Sequence, residues 1–234
     1  MKPLSFIKPA LILLLLTGVN LRPLKAQETK NVNISNFTEV SVSAGIGLYL
    51  TQAGSESAKI VAKEGVIDEV VIEKSGNNVH VSWREDRNFM NKFKNRSAKV
   101  YISYKTLNNI RASSGSSITT ENVLKTDKLE ASVSSGASIK AQVECKDLEV
   151  RTSSGSTASI SGKALNMIIS SSSGSNIDAL NLLTEYAKVS TSSGANVEVN
   201  VSKGLQTSNS SGGNIRYKGN AAVTSKNSGV RHID

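Results

Sequence analysis

The chain has 234 residues, 38% of them apolar and 20% charged, with 28 basic against 19 acidic side chains and a formal charge of +9. That length and apolar content allow one sizeable packed domain. Two histidines and one cysteine are too few for a structural zinc site or an internal disulfide.

The first 26 residues read as a secretory signal. Lys2 and Lys8 precede the apolar run 10–19, ALILLLLTGV, and the small residue Ala26 closes the segment before Gln27. The run falls short of the roughly 20 apolar residues that a membrane-spanning helix needs. No cysteine flanks the cleavage point, so a lipid-anchored form is not expected. Removal takes away Lys2, Lys8, Arg22 and Lys25 and leaves 24 basic against 19 acidic residues, a net +5. So mild a charge gives no reason to expect a nucleic-acid partner, and no membrane insertion is expected after cleavage.

From residue 27 to residue 104 the pattern is that of irregular strands. FTEVSVSAGIGLYLTQ (37–52) alternates, and AKIVAKEGVIDEVVIEKSGNNVHVSW (58–83) alternates around a turn that Gly76 and Asn77 supply, which predicts a hairpin. GIGLYL (45–50) has the look of a phosphate loop, but no Lys-Ser/Thr follows, and a bulge or close backbone approach accounts for its glycines. The alternation breaks over 84–99, REDRNFMNKFKNRSAK, which predicts a long exposed loop. Its Arg84, Arg87, Phe89, Lys92, Phe93, Lys94 and Arg96 form a basic, aromatic-bearing candidate contact surface. KVYISY (99–104) resumes the strand pattern and runs without a linker into the repetitive half of the chain, so 27–234 is expected to be one β domain.

Residues 105–234 are repetitive. ASSGSSI, VSSGASI, TSSGSTASI, SSSGSNI, TSSGANV, NSSGGNI and KNSGVRHI place glycines at 115, 136, 155, 174, 194, 212 and 229, with 17 to 21 residues between successive ones. A period near 20 marks a solenoid. Within each repeat the apolar residues alternate with period two, as in Leu129, Ala131, Val133 and then Ala137, Ile139, Ala141, Val143, Cys145, and the phase restarts at Leu148. The next repeat continues the pattern at Leu165, Met167 and Ile169. These features predict a parallel β-helix of about seven Ser-Ser-Gly coils stacked about 4.8 Å apart, with glycine at a tight corner.

By parity, the serine before each glycine (Ser114, Ser135, Ser154, Ser173, Ser193, Ser211 and Ser228) is expected to point inward. So is the small residue after it: Ser116, Ala137, Ser156, Ser175, Ala195 and Gly213. The preceding serines (Ser113, Ser134, Ser153, Ser172, Ser192, Ser210) are expected outside, together with a column of Asn176, Asn196 and Asn214, a second candidate contact surface.

Catalytic signals are few. There is no G-x-S-x-G elbow, Cys145 shares the inward parity of a buried inert thiol, and His80 lies within an ordinary strand. Parallel β-helices often carry glycoside cleavage, which requires two carboxylates about 5 to 9.5 Å apart. Glu130 and Glu149, each six residues before a glycine, are the one matched acid pair. No catalytic, cofactor or metal residues are assigned.

The succession of a secretory signal, FTEVSVSAGIGLYLTQ, a charged gap, VYISYKTLNNIRASSGSSI and serial SSG coils resembles the bacterial auto-transporter adhesin, head GIN domain family, over residues 31 to 234. The resemblance implies a right-handed β-helix and an adhesin-like surface role, with no catalytic residues to carry over. Where that family's name suggests Gly-Ile-Asn, this chain reads Gly45-Ile46-Gly47. The expectation is therefore an exported, non-catalytic binding or scaffold protein, periplasmic, cell-surface or extracellular. Its partner would be a cell-surface glycan or protein, and no cofactor is expected. The alternative is a carbohydrate-active β-helix enzyme of the polysaccharide lyase or glycosidase type. The last coil, left with an unpaired edge, is expected to be covered by an N-terminal strand or to form a homodimer.

Overall fold

The computed structural model describes residues 27–63, 65–84, 96–225 and 229–233. The signal segment, Ser228 and the middle of the basic loop, with Arg87, Phe89, Lys92, Phe93 and Lys94, lie outside them. Among the described residues, eighteen strands form one continuous hydrogen-bonded sheet that winds into a β-solenoid of about six turns.

The Ser-Ser-Gly phrase builds one corner six times. The serine before the glycine has φ between 47° and 54°, and the glycine has φ between 68° and 76°. Two successive left-handed residues make a primed turn. It is closed by bonds such as Ala137 N–H to Ser134 O at 3.1 Å and Ala195 N–H to Ser192 O at 3.1 Å. Each corner is also tied to the next coil, because the glycine N–H donates to the carbonyl of the following pre-glycine serine: Gly115 to Ser135, Gly136 to Ser154, Gly155 to Ser173 and Gly174 to Ser193, all at 3.0 Å. That bond offsets the cost of holding serine at positive φ, about 1–2 kcal/mol for an L residue.

This geometry corrects the expected side-chain directions. Ser114, Ser135, Ser154, Ser173, Ser193 and Ser211 are exposed at the corner tip, not inside. Parity counting fails there because the primed turn reverses the chain between two inward residues that are four apart. The residue after glycine does point inward: Ser116, Ala137, Ser156, Ser175 and Ala195 are buried. Ser116 Oγ donates to Val42 O and Ser156 Oγ to Val133 O, at 3.0 and 2.9 Å.

After the corner, one long strand wraps most of each coil: β12 (Ser138–Thr152), β13 (Thr157–Ser171), β14 (Asn176–Thr191) and β15 (Asn196–Asn209) pair in parallel. Two softer bends reset the phase within each. At the second bend of β13 the inward residue is Ala164, while Leu165 is 43% exposed, contrary to the expectation for it.

The N-terminal half is less irregular than its sequence suggests. β2 (Glu39–Val42) and β3 (Gly47–Gln52) flank Ser43–Ile46, where Ala44 and Gly45 have φ of 59° and 79°. The segment is a further corner of the same solenoid. β2 pairs with β8 (Asn109–Ala112) and β3 with β9 (Ser117–Thr120), placing Val42 beside Ala112 and Gly47 beside Ser117. Beneath it, β6 (Asn78–Trp83) and β7 (Ala98–Tyr104) form another parallel rung. That end is closed by antiparallel strands: β4 (Ser57–Lys63) on β7, β1 (Gln27–Val32) on β4, and β5 (Val70–Ser75) on β6 through the Gly76-Asn77 hairpin.

At the other end, β16 (Asn214–Lys218), β17 (Ala222–Ser225) and β18 (Val230–His232) are short. Among the described residues β1 pairs with β4 alone, and no N-terminal strand covers this end. The interior is one apolar cluster from Phe37 to Ile215. Its composition changes along the axis. In register, the last inward residue before each corner runs Val42, Ala112, Val133, then Thr152, Ser171, Thr191 and Asn209. Thr152, Ser171 and Ser175 join their hydroxyls at 2.8 to 2.9 Å, so the polar stretch is partly satisfied within itself.

Candidate functional site: a serine-floored groove

The strand leading into each corner presents one outward side chain two residues before the corner begins. Parallel register stacks these into a single column: His80, Ser41, Arg111, Ser132, Arg151, Ser170, Ser190 and Ser208. Beside it runs the half-buried first serine of the corners, from Ser113 to Ser192. The serines in both columns leave a groove of about 820 Å³ along the solenoid axis, edged by His80, Arg111 and Arg151. Pocket formation here is a consequence of repetition, since one small residue per coil at a fixed place makes a trench across coils.

The trench is not uniform. At the capped end Ser41 Oγ meets His80 Nδ1 at 2.9 Å and the amide of Asn78 at 3.1 to 3.2 Å. Arg111 pairs with Glu39 at 3.3 Å, and Arg151 pairs with Glu149. Farther along, Ser170, Ser190 and Ser208 carry hydroxyls alone.

The sequence-predicted surfaces lie elsewhere. Arg84 is exposed and its N–H donates to Glu69 O at 2.7 Å. Arg96 is no surface contact: its side chain is 6% exposed, lies 5.5 Å from the Trp83 ring centre and pairs with Glu69 at 2.7 Å. It braces the cap beside Trp83, whose Nε1 donates to Ala44 O at 2.8 Å. Asn176, Asn196 and Asn214 do stack in register, and Asn196 Nδ2 donates to Asn176 Oδ1 at 3.1 Å. They lie on the strand leaving the corner, outside the groove. The sequence signal for the groove was the outward serine column. The alternating residue two positions upstream, with its arginines, falls outside the phrase that repeats around each glycine.

The family model described as "Putative auto-transporter adhesin, head GIN domain" matches residues 36–221. The chain belongs to this family. Among solved structures, a "putative adhesin" from Bacteroides fragilis NCTC 9343 matches with TM-score 0.78 and 22% identity, over 90% of this chain and 99% of that one. A "putative adhesin" from Parabacteroides merdae ATCC 43184 matches with TM-score 0.70 and 18% identity, over 89% and 96%. A "putative lipid binding protein" from Parabacteroides distasonis ATCC 8503 matches with TM-score 0.65 and 15% identity, over 89% and 97%. At these identities the likeness shows the fold. No curated protein matches.

In this head GIN domain chain the acid pair that a glycosidase would need can be located. Glu130 and Glu149 are opposite one another on neighbouring coils. Glu130 bonds Lys128 at 2.8 Å, which holds its carboxyl below the ordinary value, and Glu149 pairs with Arg151. A general acid must keep its proton near neutral pH, and Glu130 is shifted the other way. Cys145 is half-buried at a bend; burial, with a smaller contribution from Asp147, pushes its thiol up to about 11. It is no activated nucleophile.

Proposed function

We propose that this head GIN domain protein is an exported, non-catalytic binding protein of the cell envelope or surface, adhesin-like in role. Its ligand is an extended polyhydroxylated chain, a surface glycan, lying in the serine-floored groove. The observation that carries the reading is the shape and chemistry of that trench: eight rungs, five of them serine, with Arg111 and Arg151 among them, each beside a carboxylate.

The rungs rise about 4.8 Å each, close to the length one pyranose adds to an extended glycan, so successive sugars meet equivalent side chains. An arginine beside a glutamate offers a donor next to an acceptor, the arrangement that matches neighbouring hydroxyls on a sugar. Membership of a family described by adhesion supports the same class of role.

Affinity electrophoresis against a panel of bacterial and host polysaccharides tests the reading. At least one polysaccharide is expected to retard the protein. Ser132→Trp with Ser170→Trp, which fills the trench from outside, is expected to abolish the retardation, and Lys59→Ala, on the cap strand over Tyr101 and outside the groove lining, to leave it intact. Equal retardation of wild type and filled variant, or none by any polysaccharide, refutes it.

A further inference from the structure

Of the large apolar side chains in the described residues, five stand more than a third exposed, and four of them are neighbours on one ridge. Leu165 is 43% exposed, Ile168 47%, Leu183 56% and Tyr186 49%. All four flank the second bend of two adjacent coils, β13 and β14: Leu165 and Leu183 line the depression on one side of it, and Ile168 and Tyr186 the one on the other. Scattered exposed leucines need no explanation, but a contiguous apolar patch marks an interaction surface.

What borders the patch defines the partner. Lys163 is directly opposite Leu183 and Lys188 directly opposite Ile168, so cation and apolar group alternate across the two coils. The carboxylates nearby are already engaged: Glu185 binds Lys203 at 2.6 Å, Glu144, opposite Lys163, binds Lys125 at 3.0 Å, Glu149, opposite Ile168, pairs with Arg151, and Asp147 accepts from Asn166 Nδ2 at 2.9 Å. Lys163 and Lys188, both exposed, take part in no ion pair among the described residues. A purely protein-facing patch gains little from lysines along its border. Long lysine stems that lie along apolar surface with the ammonium at its edge, beside a half-exposed tyrosine, are the composition that suits the boundary between acyl chains and anionic head groups.

From this surface we infer that the Leu165–Leu183 ridge docks the protein peripherally on an anionic lipid bilayer, with Leu165, Ile168, Leu183 and Tyr186 entering the head-group region and Lys163 and Lys188 meeting lipid phosphates. The docking is independent of the glycan reading, since it uses no groove residue. The two sites share one face of the solenoid: Ile168 is two residues from the groove's Ser170 and points the same way.

The test is flotation of the full chain with vesicles of phosphatidylcholine alone and of phosphatidylcholine with about 30% phosphatidylglycerol, an anionic surface of the kind that attracts basic segments. Three proteins are compared: wild type, Leu165→Ser with Leu183→Ser, and Lys163→Gln with Lys188→Gln. All substituted positions are exposed, and unchanged thermal midpoints confirm folding. Wild type is expected to float with the anionic vesicles. The serine pair is expected to lower its partition coefficient at least about tenfold, and the glutamine pair to lose about tenfold on anionic vesicles and little on neutral ones. A wild type that floats with neither vesicle overturns the inference. So does equal flotation of wild type and the serine pair, which would trace binding to the apolar segment 10–19. A wild-type dimer in light scattering that the serine pair converts to monomer would overturn it as well, by assigning the ridge to a second copy. Loss of glycan retardation with flotation intact would fall on the groove alone.

Discussion

Gly162 and Gly174 both have positive φ, yet they should respond very differently to one added methyl. Gly174 is a corner glycine with φ of 68° and open space where a Cβ would project. Alanine there meets only the left-handed backbone penalty, about 1 kcal/mol. Gly162, in the first bend of β13, has φ of 110°, outside the left-handed helical well, and faces Val143 of the coil beneath. A Cβ would overlap the Val143 carbonyl oxygen, with the carbonyl carbon at 3.0 Å. Because both partners are backbone, relief requires the coils to separate locally, at about 1–3 kcal/mol for overpacking on top of about 1–3 for the strained φ. Gly162→Ala should therefore destabilise by about 3 kcal/mol or more. With about 2–4 °C per kcal/mol for a domain of this size, thermal unfolding followed by circular dichroism should fall by about 10 °C for Gly162→Ala and about 3 °C for Gly174→Ala. Equal midpoints would show that the coils are not in the register that places Gly162 on Val143.

Two further outcomes rest on corner geometry and burial. Ala195, fully buried after its corner, should not accept leucine without a loss of about 1–3 kcal/mol, whereas Ser193→Leu at the exposed tip should stay within about 1; the reverse order in urea midpoints would restore an inward Ser193. The Cys145 thiol, held up to about 11 by burial, should alkylate slowly with iodoacetamide at neutral pH and accelerate as pH rises towards 11; a rate profile with its midpoint near about 8.5 would contradict that environment.

How far the sequence could be read depends on which residues carried a local signal. Solenoid period, parallel stacking and the inward small residue after glycine were legible because each is a repeat property, visible by laying Ser116, Ala137, Ser156, Ser175 and Ala195 side by side. The turn at Gly76-Asn77 was legible because glycine and asparagine tolerate its backbone. The exposed tip at Ser114 and its equivalents was not, since serine rarely holds positive φ and nothing local announces that the coil above supplies the compensating hydrogen bond. Ser43–Ile46 went unrecognised as a corner because Ala44 replaces the expected serine and 70 residues separate Gly45 from Gly115. Among the described residues between them, β4 and β5 close the capped end and β6 and β7 form a parallel rung. Arg96 looked like part of a basic loop, and only its position over Trp83 shows a bracing role. The groove arginines were equally hidden, because Arg111 and Arg151 acquire meaning only when coils are stacked.

The drift of the inner column from Val42, Ala112 and Val133 to Thr152, Ser171, Thr191 and Asn209 gives the molecule a direction. Near-identical Ser-Ser-Gly phrases could pair with one another in several wrong orders, and hydroxyl-lined coils gain too little apolar burial to choose among them. The capped, valine-rich rungs are unlike any later repeat and come first in the chain. They offer an edge that only the first Ser-Ser-Gly coil continues, so the order of the coils can be counted from that end alone. Phase is thus set once, at the least repetitive part of the protein, and copied upward by the most repetitive.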